Sequence, residues 1–411
     1  MKIVKFLIIL LLLIFPFGEI LRLNVSQHLA VKPLDIIAGL VVLVWIAVKV
    51  YRKEKIKNEF LKLLLPFPAI GLLALSLNTS WLKPDELMIS FLYLLRWVVY
   101  ACIFLVVTEM DKGFKKKIFT ILIVDAYLLT IFGFIQYLYY SELKNLYYLG
   151  WDDHMYRLFS TLLDPNFAGA FYVLILILTG GLLYTRWVEK SRKFLYPLIL
   201  LFILAFVALF LTFSRSALLM LICAAVTFLV LIKQKKLIFF LILLLFAFTI
   251  VISSKFYVES LNLFRIHSSQ ARLNDYSEAV KIIADRPLLG VGFNSYRYAK
   301  KAYHFNTDWV KYPSHADAGV DNSFLFILAT TGIVGLAAYL YMLVAILRKG
   351  LLAFRKNKHI MGAVLVASLM GLVVDAQFIN SLFYSHIMLW IWLLVALTPS
   401  TSSGSRESKL P

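Results

Sequence analysis

Residues 195–232 read LYPLILLFILAFVALFLTFSRSALLMLICAAVTFLVLI, two apolar runs divided only by Thr212-Phe-Ser-Arg-Ser216. At 1.5 Å per helical residue, each run reaches most of the way across about 30 Å of hydrocarbon. A backbone there must satisfy its own hydrogen bonds and therefore coils into helix. The reading is a tight hairpin of two membrane helices with Arg215 at its tip. Similar runs near 3–18, 34–50, 61–77, 86–107, 118–140, 163–184, 195–212, 216–232, 237–252, 321–347, 360–376 and 378–397 predict twelve spans. The fold class expected is all-α and polytopic. A hydrophobic share of 61% and a mean hydropathy of +0.83 exclude a water-soluble core.

The net charge of +19 would point a soluble protein toward nucleic acid, but in a membrane chain Lys and Arg first report topology. With Met1 in the cytoplasm, Lys49–Lys62, Lys112–Lys117, Arg186–Lys193, Lys233–Lys236 and Arg348–Lys358 all fall in short inside connectors. With Lys2, Lys5, Arg406 and Lys409 these hold 26 of the 42 basic residues. Nine others lie in the outer stretch Ser253–Val320, whose length makes its charge nearly irrelevant to orientation. No nucleic-acid partner is therefore inferred. The organisation expected is helices 1–9 in 1–252, an outer loop at 253–320, helices 10–12 in 321–397, and a disordered cytoplasmic tail at 398–411.

Cys102 and Cys223 both sit in apolar runs, which rules out a disulfide framework and a thiolate metal site. Trp151-Asp-Asp-His154 is acidic with a histidine, but neighbouring side chains rarely converge on one ion without further ligands, so no metal is expected. Transporters carry internal repeats and polar groups at the bilayer midplane. This chain has no such repeat, and its polar residues gather at the outer face, which favours surface chemistry over a lipid-linked glycan carrier or flippase.

The outer loop has structure of its own. Arg272 to Ala284 places Leu273, Tyr276, Val280 and Ile283 on one side of a helix, an amphipathic element that would rest on the membrane or pack over the bundle. Pro287-Leu-Leu-Gly290-Val-Gly292 then breaks it, and Phe293–Tyr303 can form a second short helix.

Candidate residues follow from the charges. Arg215 is either a snorkelling residue closing a turn between Ser214 and Ser216, or a rigid guanidinium fork suited to phosphate. A diphosphate leaving group needs about two positive charges beside it. Arg272 is the first choice for the second, with Arg265, Arg286 and Arg297 as further loop cations. Arg96 stands mid-span, where an unpaired charge costs roughly 2.5–3.5 kcal/mol, so it must face a cleft or pair with a group such as Asp125. Asp321 and Asn322 open the tenth span, as helix caps or with Asp321 as a general base, a role for which His315 competes. Tyr276, Tyr296 and Trp309 could stack on sugar rings.

Four stretches resemble the O-antigen ligase and polymerase superfamily of bacterial envelope glycosyltransferases. They are Phe159-Ser-Thr-Leu-Leu-Asp-Pro-Asn-Phe-Ala-Gly169, Phe213-Ser-Arg-Ser216, Asp285-Arg-Pro-Leu-Leu-Gly-Val-Gly292, and Asp321-Asn-Ser323 followed by Gly332-Ile-Val-Gly335. The resemblance implies inverting transfer of a glycan, without metal or other cofactor, from a polyprenyl (undecaprenyl) diphosphate carrier to an acceptor hydroxyl. The acceptor would be a glycan or a lipid A–core, and the site would face the periplasm from the inner membrane. It also implies that Arg215 and Arg272 match the family's hairpin and loop arginines. Asp321 stands where ligases carry His. Aspartate is less basic by about 2.6 pKa units, about 3.5 kcal/mol of proton affinity, and this leaves ligase or polymerase open.

Overall fold

The structure, a computed structural model, describes residues 1–25, 29–56, 60–143, 154–234, 236–237, 267–305 and 318–399. The expected span at 237–252 beyond its first residue, His315, Arg265, Trp309 and the tail from 400 onward lie outside the described residues. The helices are α1 Lys2–Ile14, α2 Pro33–Tyr51, α3 Leu61–Leu64, α4 Pro66–Leu77, α5 Pro84–Thr108, α6 Lys112–Tyr139 and α7 Pro165–Val188. They continue as α8 Leu195–Leu211, α9 Arg215–Leu231, α10 His267–Asp285, α11 Tyr296–Ala302, α12 Ser323–Asn357, α13 Ile360–Asp375 and α14 Ser385–Leu397. Two antiparallel ribbons of two-residue strands, Leu23–Asn24 with Ala30–Val31 and Glu142–Leu143 with His154–Met155, close loops at helix ends.

The chain is an all-α membrane protein. By length and composition α2, α5, α6, α7 and α12 can cross a membrane, while α8, α9, α13 and α14 are apolar but shorter, so the expected twelve spans are not confirmed. Helix starts follow local chemistry. Proline opens α2, α5 and α7, where a missing N–H costs nothing, and Asp111, Asp164, Ser214 and Asn322 cap α6, α7, α9 and α12 with side-chain oxygens.

Helix α7 lies at the centre, with apolar residues buried on every side, and packs on α8, α9 and α13. Small residues let these helices approach: a Cβ on Gly181 would stand 2.4 Å from Val364, and one on Gly371 would stand 2.8 Å from the Ala224 methyl. A second cluster forms round Phe67, whose ring lies 5.0 Å from Trp97, 4.8 Å from Tyr339 and 6.1 Å from Phe293. It joins α4, α5 and α12 to the turn after α10.

That turn is stitched into a break in α12. Gly332 adopts φ 66°, ψ −170°, so the helix is interrupted one third of the way along. The interruption leaves backbone groups that hydrocarbon cannot satisfy. The turn supplies the partners: Val291 and Gly292 N–H donate to Ala329 and Thr330 carbonyls at 2.9 and 3.1 Å. In return, Ile333 and Val334 N–H donate to Pro287 and Leu288 carbonyls at 2.9 and 3.3 Å. Gly290 allows the crossing, because a Cβ there would lie 2.5 Å from the Thr330 carbonyl carbon. Two motifs far apart in sequence, Pro287–Gly292 and Gly332–Gly335, thus form one piece of structure.

Two expectations need correction. Helix α10 is present but turned differently: Ala279 and Ile282 are buried against α12, whereas Leu273 and Val280 are exposed. The cause is polar, since Asp275 and Tyr276 bond to the backbone around residue 321 and set the rotation. Arg96 does not pair with Asp125. Its Nη2 meets Asp35 Oδ2 of α2 at 2.8 Å and the Ala30 carbonyl at 2.7 Å, because α2 rather than α6 packs on that side of α5.

Candidate active site

The N-termini of α7, α9 and α12 converge at the end of the bundle covered by α10. Asp164 caps α7, its Oδ1 accepting the N–H groups of Asn166 at 2.6 Å and Phe167 at 3.3 Å. Asn166 Oδ1 in turn accepts Ser214 Oγ at 3.1 Å and Arg157 Nη2 at 3.3 Å. Arg157 is buried and donates from Nε to the Thr212 carbonyl at 2.8 Å, fixing the hairpin tip. Ser214 caps α9 through Ala217 N–H, and Phe213 takes a left-handed φ of 49° to make the turn. Arg215 is thereby the first residue of α9, held on the same frame as Asp164.

Residues 321–323 are pinned from two sides. Asp275 Oδ2 accepts the Asp321 N–H at 2.9 Å, and the Tyr276 hydroxyl lies 3.0 Å from the Asp321 carbonyl and 2.5 Å from that of Gln377. Asn322 caps α12 by accepting Phe324 and Leu325 N–H at 2.9 and 3.0 Å, and donates to Gln377 O at 3.1 Å. The cap is therefore Asn322, which leaves the Asp321 carboxyl for other work. Arg272 Nε stands 3.4 Å from Asp321 Oδ2. Arg215 lies close enough to Arg272 to feel its charge. Arg286 is elsewhere, donating to Asn78 Oδ1 at 2.6 Å beneath the Gly290 turn.

A cavity of about 320 Å³ opens beside this group. Asp321, Asp164, Asn166, Phe167, Phe326, Asn380 and Tyr384 line it together with Arg96, Lys32, Arg22, Glu19 and Arg297. Arg215 and Arg272 are not among its lining residues.

The electrostatics are those of charges crowded at a concave mouth, where the Asp321 side chain keeps 52% of its surface open while protein surrounds it on the other sides. Burial raises Asp321 above the ordinary carboxylate range and the Asp164 charge adds to the rise, while Arg272 pulls it back. Asp164 is likewise raised by burial against its two N–H bonds and the charges of Arg157 and Arg272. Asp275 is raised by burial, with Lys300 opposing from 3.4 Å. An arginine between carboxylates of raised affinity for protons can stabilise departing negative charge while a neighbour accepts a proton.

Of the residues singled out from sequence, the fold brings Arg215, Arg272, Asp321, Asn322 and Tyr276 near one another. Sequence reading missed Asp164, Asn166 and Asp275. The Asp164-Pro-Asn166 signature marked the first two, although it was read only as part of a motif. It also missed Asp375, which ends α13 buried beside Ser216 and Ser381, within range of Arg272, both oxygens lacking hydrogen-bond partners among the described residues.

No curated protein matches the chain. Residues 200–340, which include Arg215, Arg272, Asp321 and the stitched break in α12, match the model of a family described as O-antigen ligase.

Proposed function

We propose that the protein is an inverting glycosyltransferase that moves a glycan from a polyprenyl-diphosphate carrier to an acceptor hydroxyl on the periplasmic face of the bacterial inner membrane, in lipopolysaccharide or another surface polysaccharide. The observation that carries this reading is the Arg215–Arg272–Asp321 group at the cavity's edge, inside the segment that matches the family. The isoprenoid tail lies in lipid, with the diphosphate at Arg215 and Arg272. The acceptor oxygen attacks the anomeric carbon from the face opposite the diphosphate. Its O–H proton passes to a carboxylate, Asp321 in this reading, as the new C–O bond forms. The old C–O bond breaks, and its electron pair leaves on the diphosphate oxygen, where the two guanidinium groups stabilise it. The raised proton affinity of Asp321 suits a base better than an ordinary aspartate would. No metal is required in this scheme.

A polymerase that extends one glycan with another is the second reading, favoured by Asp321 standing where ligases of this superfamily carry His. The test is incubation of the purified protein with a defined polyprenyl-diphosphate glycan and either a second lipid-linked glycan or a lipid A–core acceptor, with products read by mass. Arg215→Ala is expected to lose transfer by a factor of at least about 100 while inserting normally, since about 3 kcal/mol of leaving-group stabilisation goes with the charge. Full transfer by that variant removes the diphosphate assignment. Unchanged turnover in Asp321→Asn removes Asp321 as the base and leaves His315 as the remaining candidate.

A further inference from the structure

The wall of the cavity that Arg96 and Lys32 form is built as an anion site. Both hydrogen bonds of Arg96 leave from Nη2, to Ala30 O and Asp35 Oδ2. Nη1 and Nε, with three N–H groups between them, carry no hydrogen bond among the described residues, although the side chain is only 16% exposed and lines the cavity. The guanidinium lies 4.7 Å over the Tyr93 ring, which fixes its plane. Buried Lys32 stands in the same wall, its Nζ 2.7 Å from Glu19 Oε1 and 3.0 Å from Ser385 Oγ. Glu19 serves Arg22 as well, at 3.8 Å. Burial disfavours the charged form of Glu19, but Lys32 and Arg22 outweigh it and hold the carboxyl at about 2, so this one carboxylate is already committed.

The same lining holds groups suited to a sugar. Phe167 and Tyr384 stack at 4.1 Å and 8°, and Asn166, Asn380 and Ser385 add amide and hydroxyl groups. The volume falls within the range of small-molecule sites, about 300–1,000 Å³. The cavity thus offers free donors on Arg96 as well as the carboxylates of Asp321 and Asp164. A sugar bearing an acidic substituent is oriented by that difference, its acid toward Arg96 and a hydroxyl toward Asp321.

We infer that the cavity recognises an acidic sugar on the acceptor glycan, with the carboxylate of a uronic acid or a phosphate substituent accepting a charge-assisted hydrogen bond from Nη1 or Nε of Arg96 and seconded by Lys32. This rests on the transfer reading only in naming the acceptor; the binding claim stands on the cavity.

The test uses the full chain in nanodiscs, with binding of methyl glucuronoside, methyl glucoside 6-phosphate, methyl glucoside and inorganic phosphate followed by calorimetry. At least one acidic glycoside is expected to bind about tenfold or more tighter than the neutral glucoside and than inorganic phosphate, the worth of one charge-assisted hydrogen bond, and the winner tells carboxylate from phosphate. Arg96→Lys keeps the charge and the Asp35 pair but removes the Nη1 and Nε donors, and is expected to lose that margin. Arg215→Ala is expected to retain it, which separates this site from the diphosphate site whether or not transfer occurs. Equal binding of neutral and acidic glycosides, tight binding of inorganic phosphate alone, or an unchanged margin in Arg96→Lys overturns the inference.

Discussion

Replacing Gly332 by alanine tests whether the broken helix and the loop turn are one structure. The residue sits at φ 66°, ψ −170°, a conformation reached essentially by glycine, and a side chain there costs about 1–3 kcal/mol. The added Cβ would stand 2.1 Å from the Leu288 oxygen and 2.2 Å from its carbonyl carbon. These are backbone atoms that no rotamer change can move, so the Pro287–Gly292 turn must retreat. Its retreat breaks the Ile333 and Val334 N–H bonds to Pro287 and Leu288, each worth about 1 kcal/mol net. Together the loss is about 3–5 kcal/mol, a large part of a typical domain's stability. The control is Gly39→Ala, where the Cβ meets nothing within 4 Å and helix propensity improves by about 0.5–1 kcal/mol. Thermal unfolding in detergent should show Gly332→Ala melting well below wild type and Gly39→Ala at or above it, with proteolysis of the 287–292 turn accelerated only in the first. Matching melting and cleavage in the two variants would refute the stitch.

Asp164→Asn keeps the α7 cap, since asparagine accepts the same N–H bonds, but removes a charge that raises Asp321. A base works when ionised. Transfer should therefore fall as pH drops through a value above the ordinary aspartate range near about 3.9, and that acid limb should move to lower pH in the variant. A limb that stays put or moves upward would dissociate Asp321 from proton removal. Asp35→Ala strands Arg96 within α5 and should cost about 3–5 kcal/mol in thermal unfolding, most of it recovered by adding Arg96→Met, because the penalty is the uncompensated charge. If the double variant melts no higher than the single one, the pair is not what the charge is for.

That the chain is helical and apolar enough for a membrane was legible because lipid admits little besides helix, whereas the number of spans was not, since apolar length alone does not say which helices cross. The hairpin arginine was legible because charge at a turn between two such runs has nowhere else to be. The Arg96 partner was not: Asp35 and Asp125 are both acidic, and only helix packing brings α2 to that face of α5. The orientation of α10 was missed for a related reason. An amphipathic stripe reports an apolar neighbour without naming it, and here Asp275 and Tyr276 hold the helix by polar contacts to residue 321.

From its order of residues alone the chain is a helical membrane protein with charged groups gathered mostly in the connectors and helix ends, because hydrocarbon punishes unpaired backbone and charge wherever they occur along it. Which of those groups meet was settled by folding. Arg272 reaches Asp321 across 49 positions of sequence, and Asp164 reaches the same cavity from another helix. Electrostatic energy depends on separation in space, and only the packing of the helices sets that separation.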